Sequence, residues 1–182
     1  MAILTGSLLL QLGVLCNLKP ARALSPARDE DLSASDLIGK KAPGLPESTW
    51  INSSPHNLSD FQGSVVLLEF WTYGCINCRN TIPTLNEWQK KYSGKDFALI
   101  RVHTPEFDGE KSARNVRENI ARLHIRYPVV TDNDYLTWES YHQQYWPTIY
   151  LIDKKGIVRY VHVGEGSYDT TERMIRSLMA ER

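Results

Sequence analysis

Hydrophobic residues after position 50 follow two alternating patterns, one typical of buried strands and one typical of amphipathic helices. Residues 65–71 form a nearly continuous apolar run, as expected for a strand that is buried on both faces. Apolar residues then recur with helical spacing, which predicts a helix directly after this strand. The helical stripe consists of Ile82, Leu85, Trp88 and Tyr92.

The rest of the chain continues this alternation of strands and helices. The predicted elements are a strand at 97–102, a helix at 115–123, a short strand at 127–131, a helix at 135–145 capped by Asp132 or Asn133, strands at 148–152 and 157–163, and a final helix capped by Asp169 or Thr170. The Asp-Lys-Lys-Gly sequence at 153–156 predicts a hairpin between the last two strands. This order predicts the α/β class, with a mixed sheet and helices on both of its faces.

Composition and charge narrow the class of protein. Of the 182 residues, 42% are hydrophobic and 23% are charged, which is an ordinary globular composition with enough apolar material for one core. The 21 Lys and Arg balance 21 Asp and Glu, so a broad basic footprint for nucleic acid or anionic lipid is excluded. We expect a monomer that does not bind nucleic acid.

The first 23 residues differ from the rest of the chain. Residues 3–18 are mainly apolar and are followed by Ala-Arg-Ala at 21–23, the small-x-small pattern of a signal-peptidase site. Because no Lys or Arg precedes the apolar stretch, residues 1–23 are expected to be either a signal peptide or an uncleaved N-terminal anchor. Residues 24–44 have the composition of a linker, which leaves 45–182 as the folded domain. We therefore expect an exported protein, periplasmic or lumenal, that contacts a membrane only through an uncleaved N-terminus.

Cys75 and Cys78 carry the clearest chemical signal in the chain. They are separated by two residues and lie between the predicted strand at 65–71 and the helix that follows it. A thiolate at a helix N-terminus faces unpaired N–H groups and the positive end of the helix dipole, which lowers its pKa. The second cysteine, one turn later, can then attack a mixed disulfide. The pattern predicts thiol-disulfide exchange, with Cys75 attacking and Cys78 resolving.

Two other interpretations of this cysteine pair stay open from the residues alone. A single CxxC can be half of a zinc site, but the five His residues are scattered without ligand spacing, so we expect no metal and no other cofactor. A static structural disulfide is the second alternative, although a loop this short adds little stability through chain entropy.

Several short motifs accompany the cysteines. They lie at 50–53, at 70–78 (Phe-Trp-Thr-Tyr-Gly-Cys-Ile-Asn-Cys), and at 102–107, 127–129, 145–153 and 164–166, together with Pro83 and Pro147. In these motifs the chain resembles the thioredoxin superfamily, and within it the TlpA-like branch and the thioredoxin-like domain of DipZ-type proteins. The resemblance covers about residues 45–180. It implies a thioredoxin fold, with an extra N-terminal segment and a helical insertion.

The resemblance also implies roles for individual residues. Cys75 is the exposed nucleophile and Cys78 the buried resolving thiol of a redox-active Cys75–Cys78 disulfide. Pro147 matches the cis-proline that lies against the cysteine pair and offers backbone edges to a substrate strand. Glu69 matches an acid that accepts the proton of the buried thiol, and its apolar strand predicts burial and a raised pKa. A solvated Glu69 at a sheet edge is the alternative.

Three aromatic side chains are expected near the cysteines, and two polar ones are expected at the surface instead. Trp71, Tyr73 and Trp146 are predicted to surround the cysteines, either as an apolar platform for a substrate chain or as plain packing. His103 and Glu106 follow the second strand and are expected to be surface residues.

These residues predict an exported thiol-disulfide oxidoreductase that acts mainly as a reductant of protein disulfides. The resemblance implies substrates that include apocytochrome c CxxCH cysteines, as in cytochrome c maturation, and a separate membrane thiol transporter as electron donor. The alternatives are a disulfide oxidant or isomerase, a thiol peroxidase, and a thioredoxin-like binding module without redox turnover. Reduction potential separates reductant from oxidant, and an inert Cys75 would indicate the binding module.

Overall fold

The structure is a computed structural model that describes residues 33–45 and 48–182. The signal peptide or anchor predicted at 1–23 and the first part of the predicted linker lie outside these residues. Within the described residues, no helix combines the length and the apolar character that crossing a bilayer requires.

Six strands form one mixed sheet in the described part of the chain. They are β1 (Trp50–Ile51), β2 (Val65–Trp71), β3 (Phe97–His103), β4 (Val129–Thr131), β5 (Thr148–Ile152) and β6 (Val158–Val163). Their order across the sheet is β1-β4-β3-β2-β5-β6. Central β2 is parallel to β3 and antiparallel to β5, and β3 is parallel to β4. The predicted mixed sheet is confirmed, as is the hairpin, since β5 and β6 pair antiparallel.

Helices cover both faces of this sheet, which explains why β2 is apolar throughout. They are α1 (Ile76–Tyr92), α2 (Ala113–Arg122), α3 (Leu136–Ser140) and α4 (Tyr168–Ala180). Leu67 and Trp71 of β2 share one core with α1, α2 and α4. Leu68 and Phe70 alternate with them and share the opposite core with α3 and with 3-10 helices that include Ala34–Leu37. The end of β2 and the start of α1 therefore meet at one edge of a sheet that is packed on both sides.

The helix predicted at 135–145 is too long, because it ends at Ser140. Two features of the following residues stop it. The carbonyl of Tyr141 accepts a hydrogen bond from the Tyr150 hydroxyl (2.6 Å). His142 has a left-handed backbone (φ 52°), which an α-helix does not tolerate.

The predicted caps are correct only in part for α3, whose N-cap residue is Tyr135 although the Asp132 side chain binds its first turn, and wrong for α4. Asp132 accepts hydrogen bonds from two N–H groups in the first turn of α3. α4 begins earlier than Asp169 or Thr170 would place it, because Ser167 is its N-cap and the Ser167 carbonyl accepts the Thr171 N–H (2.9 Å).

Residues 33–44 pack onto the domain, which corrects the part of the 24–44 linker that the structure describes. Ala34 and Leu37 are buried in the core on the α3 side of the sheet. The Gly39 N–H donates to a carbonyl of β6 (2.8 Å). In the sequence, Ala34 and Leu37 lie among polar residues, so the pattern does not indicate that they are buried.

Candidate active site

Cys75 and Cys78 lie at the point where the chain leaves β2 and enters α1. Cys75 is the N-cap of α1, and its sulfur accepts a hydrogen bond from the Cys78 N–H (3.2 Å). Cys75 is half-buried, whereas Cys78 is fully buried. Both are free thiols, which is the reduced form of the predicted Cys75–Cys78 disulfide. Within residues 33–45 and 48–182, no group of three or more His, Cys, Asp or Glu side chains is placed to hold a metal ion.

The two thiols differ strongly in acidity. The pKa of Cys75 is lowered to about 7, mainly because the Cys78 thiol donates a hydrogen bond to the Cys75 sulfur, with further help from backbone N–H groups of α1. Burial raises the pKa of Cys78, and the hydrogen bond to Cys75 and the charge of Glu69 raise it further. At neutral pH one sulfur is therefore accessible and partly ionised, while the other is buried and protonated.

Glu69 is fully buried, as predicted, and it lies on the face of β2 against which Cys78 of α1 packs. Its Oε1 accepts a hydrogen bond from the Thr81 hydroxyl (2.7 Å), and its Oε2 pairs with the guanidinium of Arg101. Burial raises the pKa of Glu69, and the charge of Arg101 opposes that rise. The alternative of a solvated Glu69 is wrong.

Arg101 is a site residue that the sequence reasoning missed. It is fully buried on β3, directly beside Glu69 in the parallel register of β2 and β3. Its Nη2 donates to the Cys78 carbonyl (3.1 Å), and its guanidinium lies 3.9 Å from the centre of the Trp71 ring. The available signal was an Arg in the middle of β3, whose other residues are apolar except for the terminal His103. Arg101 thus connects the carboxylate to the first turn of α1.

Trp71 is not part of a substrate platform, because it is fully buried. The Arg101 guanidinium lies over one face of the Trp71 ring. The rings of Trp71 and His103 pack in a T-shaped arrangement with their centroids 5.3 Å apart. Tyr73 is half-buried, stacks on His103 at 5.5 Å and donates its hydroxyl to the Gly109 carbonyl (3.1 Å). Trp71 is therefore core packing, and Tyr73 joins the core to the loop after β3.

Pro147 follows a cis peptide bond with Trp146, as the resemblance implied. Pro147 is buried, and its carbonyl accepts the Gly164 N–H (2.7 Å). Trp146 is half-buried and packs 4.2 Å from Trp138 of α3. Proline has no N–H and this carbonyl is already bonded, so backbone edges for a substrate are expected from the residues before Pro147.

His103 and Glu106 occupy different environments. His103 is fully buried, which corrects its expected surface position, and burial lowers its pKa to about 4. Its Nε2 lies 3.3 Å from the Thr72 hydroxyl. Glu106 is exposed, as expected, yet its charge raises the pKa of Cys75. His103 is therefore a neutral packing residue, whereas Glu106 acts electrostatically on the reactive thiol.

Glu110 is a second residue that the sequence reasoning missed. It is buried although it lies in an exposed loop, and its carboxylate accepts hydrogen bonds from the N–H groups of Gly74 (3.0 Å), Glu106 (2.7 Å) and Phe107 (3.2 Å). No local sequence signal marks this contact with Gly74, since the two residues are far apart in the chain.

Comparison with known proteins agrees with this geometry. Residues 38–161 match the AhpC/TSA family. Protein DipZ of Mycobacterium tuberculosis is 44% identical over 142 residues, which cover 76% of this chain but only 20% of DipZ. The thiol-disulfide oxidoreductase YkuV of Bacillus subtilis is 25% identical over 80% of this chain and 93% of its own length.

The solved structures agree with the sequence comparison. A crystal structure of the thioredoxin-like superfamily protein SPOA0173 superposes with a TM-score of 0.73 at 25% identity, covering 78% of this chain and 97% of that one. This confirms the predicted thioredoxin fold. Because the family match spans most of the described domain, the chain belongs to the AhpC/TSA family of thioredoxin-like proteins.

Proposed function

We propose that this chain is a thiol-disulfide oxidoreductase that reduces protein disulfides through Cys75 and Cys78. One observation carries the proposal: a half-exposed thiol with a pKa of about 7 lies one helical turn from a buried thiol that is protonated. YkuV, a thiol-disulfide oxidoreductase by name, supports the same chemistry because the similarity covers nearly its whole length.

The reaction proceeds in two exchanges. The Cys75 thiolate attacks one sulfur of a substrate disulfide, forms a mixed disulfide with it, and releases the other substrate sulfur as a thiolate that takes up a proton. Cys78 then loses its proton and attacks the Cys75 sulfur, which forms the Cys75–Cys78 disulfide and releases the second substrate thiol. The protein thereby gives two electrons to the substrate, and of the two protons that the substrate sulfurs take up, one comes from Cys78 and the other from solution.

Glu69 acts in the second exchange as the acceptor of the Cys78 proton. Its raised pKa brings it closer to the range in which a carboxylate can accept a proton at neutral pH. The Thr81 hydroxyl, which donates to Glu69, also lies 2.8 Å from the backbone carbonyl of Cys78, and the charge of Glu69 is close enough to raise the pKa of the Cys78 thiol. A water molecule completes the path between them in this proposal.

The acidity of Cys75 supports the reducing direction. A pKa of about 7 resembles that of the reactive thiol in thioredoxin, about 7, and lies well above that of the oxidant DsbA, about 3.5. A strongly stabilised thiolate makes a protein an oxidant, because it favours the dithiol over the disulfide. Cys75 lacks that degree of stabilisation, which argues against the oxidant and isomerase alternatives.

The proposal also includes the compartment, the substrates and the electron donor of this reaction. The N-terminal sequence supports export to a periplasm or lumen, with residues 1–23 cleaved or kept as an anchor. In such a compartment the substrates are protein disulfides, including those of apocytochrome c CxxCH motifs. The electrons come from a separate membrane thiol donor, and the chain acts as a monomer. The chain spans about a fifth of the DipZ relatives, so their other activities are not carried over.

The proposed function is tested by trapping its intermediate. We expect the Cys78→Ser variant, made in a chain in which Cys16 is also replaced by Ser, to accumulate a mixed disulfide between Cys75 and a CxxCH peptide disulfide, since the protein then has no second thiol to resolve it. Cys75→Ser is the matched control and forms no adduct. Absence of the adduct with Cys78→Ser, together with an unreactive Cys75, would overturn the proposal in favour of a binding module.

A further inference from the structure

The loop at 104–111, which follows β3, is fastened to the residues that precede Cys75. The buried Glu110 carboxylate accepts the Gly74 N–H through Oε1 (3.0 Å), and the Tyr73 hydroxyl donates to the Gly109 carbonyl (3.1 Å). A Cβ at Gly74 would lie 2.4 Å from Glu110 Oε1, so the close approach requires glycine. The loop is therefore held against the reactive motif by defined contacts.

The same carboxylate places Glu106 beside the motif. Oε2 of Glu110 accepts the Glu106 N–H (2.7 Å), while Oε1 accepts the Gly74 N–H. One carboxylate therefore bridges the two N–H groups, which holds the backbone of Glu106 close to that of Gly74. Cys75 is the residue directly after Gly74. The Glu106 side chain is exposed, and it is close enough to raise the pKa of Cys75.

We propose that Glu106, held by Glu110, is a specificity residue that favours disulfides flanked by positive charge over those flanked by negative charge. The inference rests on the proposed function and adds the substrate class. The backbone contacts through Glu110 and the influence of Glu106 on Cys75 place the Glu106 carboxylate within electrostatic range of a disulfide that Cys75 attacks. That carboxylate attracts a cationic group and repels an anionic one, so the two kinds of substrate differ in the free energy of the mixed-disulfide transition state.

The test uses two small disulfides of similar size, cystamine with terminal ammonium groups and dithiodipropionate with terminal carboxylates. The fully reduced full chain is mixed with each at low ionic strength, and the rate of Cys75–Cys78 disulfide formation is measured. We expect Glu106→Gln to lower the ratio of the cystamine rate to the dithiodipropionate rate by roughly fivefold to tenfold. The ratio is compared between variants, so the intrinsic reactivity of each disulfide and the ionised fraction of Cys75 cancel.

Glu87→Gln is the matched control, because it makes the same change of charge on the exposed side of α1. Glu87 lies 11 residues after the first residue of α1, about 16 Å along the helix. At that distance screening removes most of its effect, so the ratio should stay at the wild-type value.

Glu110→Asp tests the positioning role, because it keeps the charge but shortens the reach of the carboxylate. We expect it to lower the rate ratio toward the value of Glu106→Gln, whereas a residue that only stabilises the fold would leave the ratio unchanged. If this variant does not fold, Glu106→Gln and Glu87→Gln still decide the proposal. An unchanged ratio in Glu106→Gln, or an equal change in Glu87→Gln, overturns it while leaving disulfide reduction intact. Failure of the wild-type dithiol to reduce either disulfide overturns the proposed function instead.

Discussion

Glu69 and Arg101 form an ion pair in which both side chains are fully buried. The parallel register of β2 and β3 sets the two residues side by side. Arg101 also donates to the Cys78 carbonyl, so the pair connects the sheet to the first turn of α1. Such a pair is weak evidence for stability, because desolvation offsets much of the Coulombic attraction. We attribute its role to the buried thiol of Cys78, whose pKa the charge of Glu69 raises.

Glu69→Gln is expected to slow resolution of the mixed disulfide while leaving the first attack nearly unchanged. Loss of a general base should lower the rate of the Cys78 step by about a hundredfold. The measurement combines rapid-mixing detection of mixed-disulfide decay with the alkylation rate of Cys75 at the same pH. Equal slowing of both steps would show that Glu69 supports only the local structure.

Arg101→Met leaves a buried carboxylate without its cation, and we expect a loss of about 3–5 kcal/mol in the free energy of unfolding. Burial already raises the pKa of Glu69, and removal of Arg101 raises it further. A carboxyl group with a raised folded-state pKa binds its proton more tightly when folded, so stability falls as pH rises from the ordinary carboxyl pKa through the raised value. Urea unfolding at pH 5 to 8 should show a steeper fall for Arg101→Met than for wild type. A parallel pH profile would contradict this assignment.

Alkylation of Cys75 should follow an apparent pKa of about 7. The rate with iodoacetamide is therefore expected to rise by roughly tenfold between pH 6 and pH 8, in proportion to the thiolate. Mass spectrometry should locate the label on Cys75 and not on Cys78, since burial raises the pKa of Cys78 and excludes the reagent. Cys75→Ser serves as the control, and substantial labelling of Cys78 in that variant, as distinct from labelling of Cys16, would show that Cys78 is accessible.

Gly74→Ala should destabilise the fold by about 1–3 kcal/mol, because the added Cβ collides with the buried Glu110 carboxylate. Gly109→Ala is the matched control in the loop that contains Glu110, since a Cβ there meets no atom within 4 Å. Urea unfolding of the two variants gives the comparison. Equal stability of Gly74→Ala and Gly109→Ala would show that the loop is not held against the motif.

The sequence predicts the parts of the site that depend on local pattern. The apolar run of β2 and the helical stripe of α1 place the cysteines between a buried strand and a helix start, and the structure confirms both elements. Alternation along β2 also predicts the burial of Glu69.

The missed parts depend on contacts between distant residues. The role of Arg101 can be recognised only once the register of β2 and β3 is known, because that register sets it beside Glu69. The role of Glu110 likewise depends on the contact between its loop and Gly74. For Trp71 the sequence leaves a substrate platform and plain packing open, and its complete burial in the core beside α1 decides for packing. The early end of α3 likewise depends on the distant Tyr150 hydroxyl.

The reduction potential of the Cys75–Cys78 pair tests the central claim most directly. The full chain is equilibrated in glutathione buffers of graded ratio, and the dithiol fraction is determined by alkylation and mass. A reductant requires a potential near or below about −230 mV, the range of thioredoxin and the glutaredoxins, and this is the predicted result. A potential above about −150 mV, approaching that of DsbA, would mean that the pair prefers to be reduced, and would contradict the account by making the protein an oxidant.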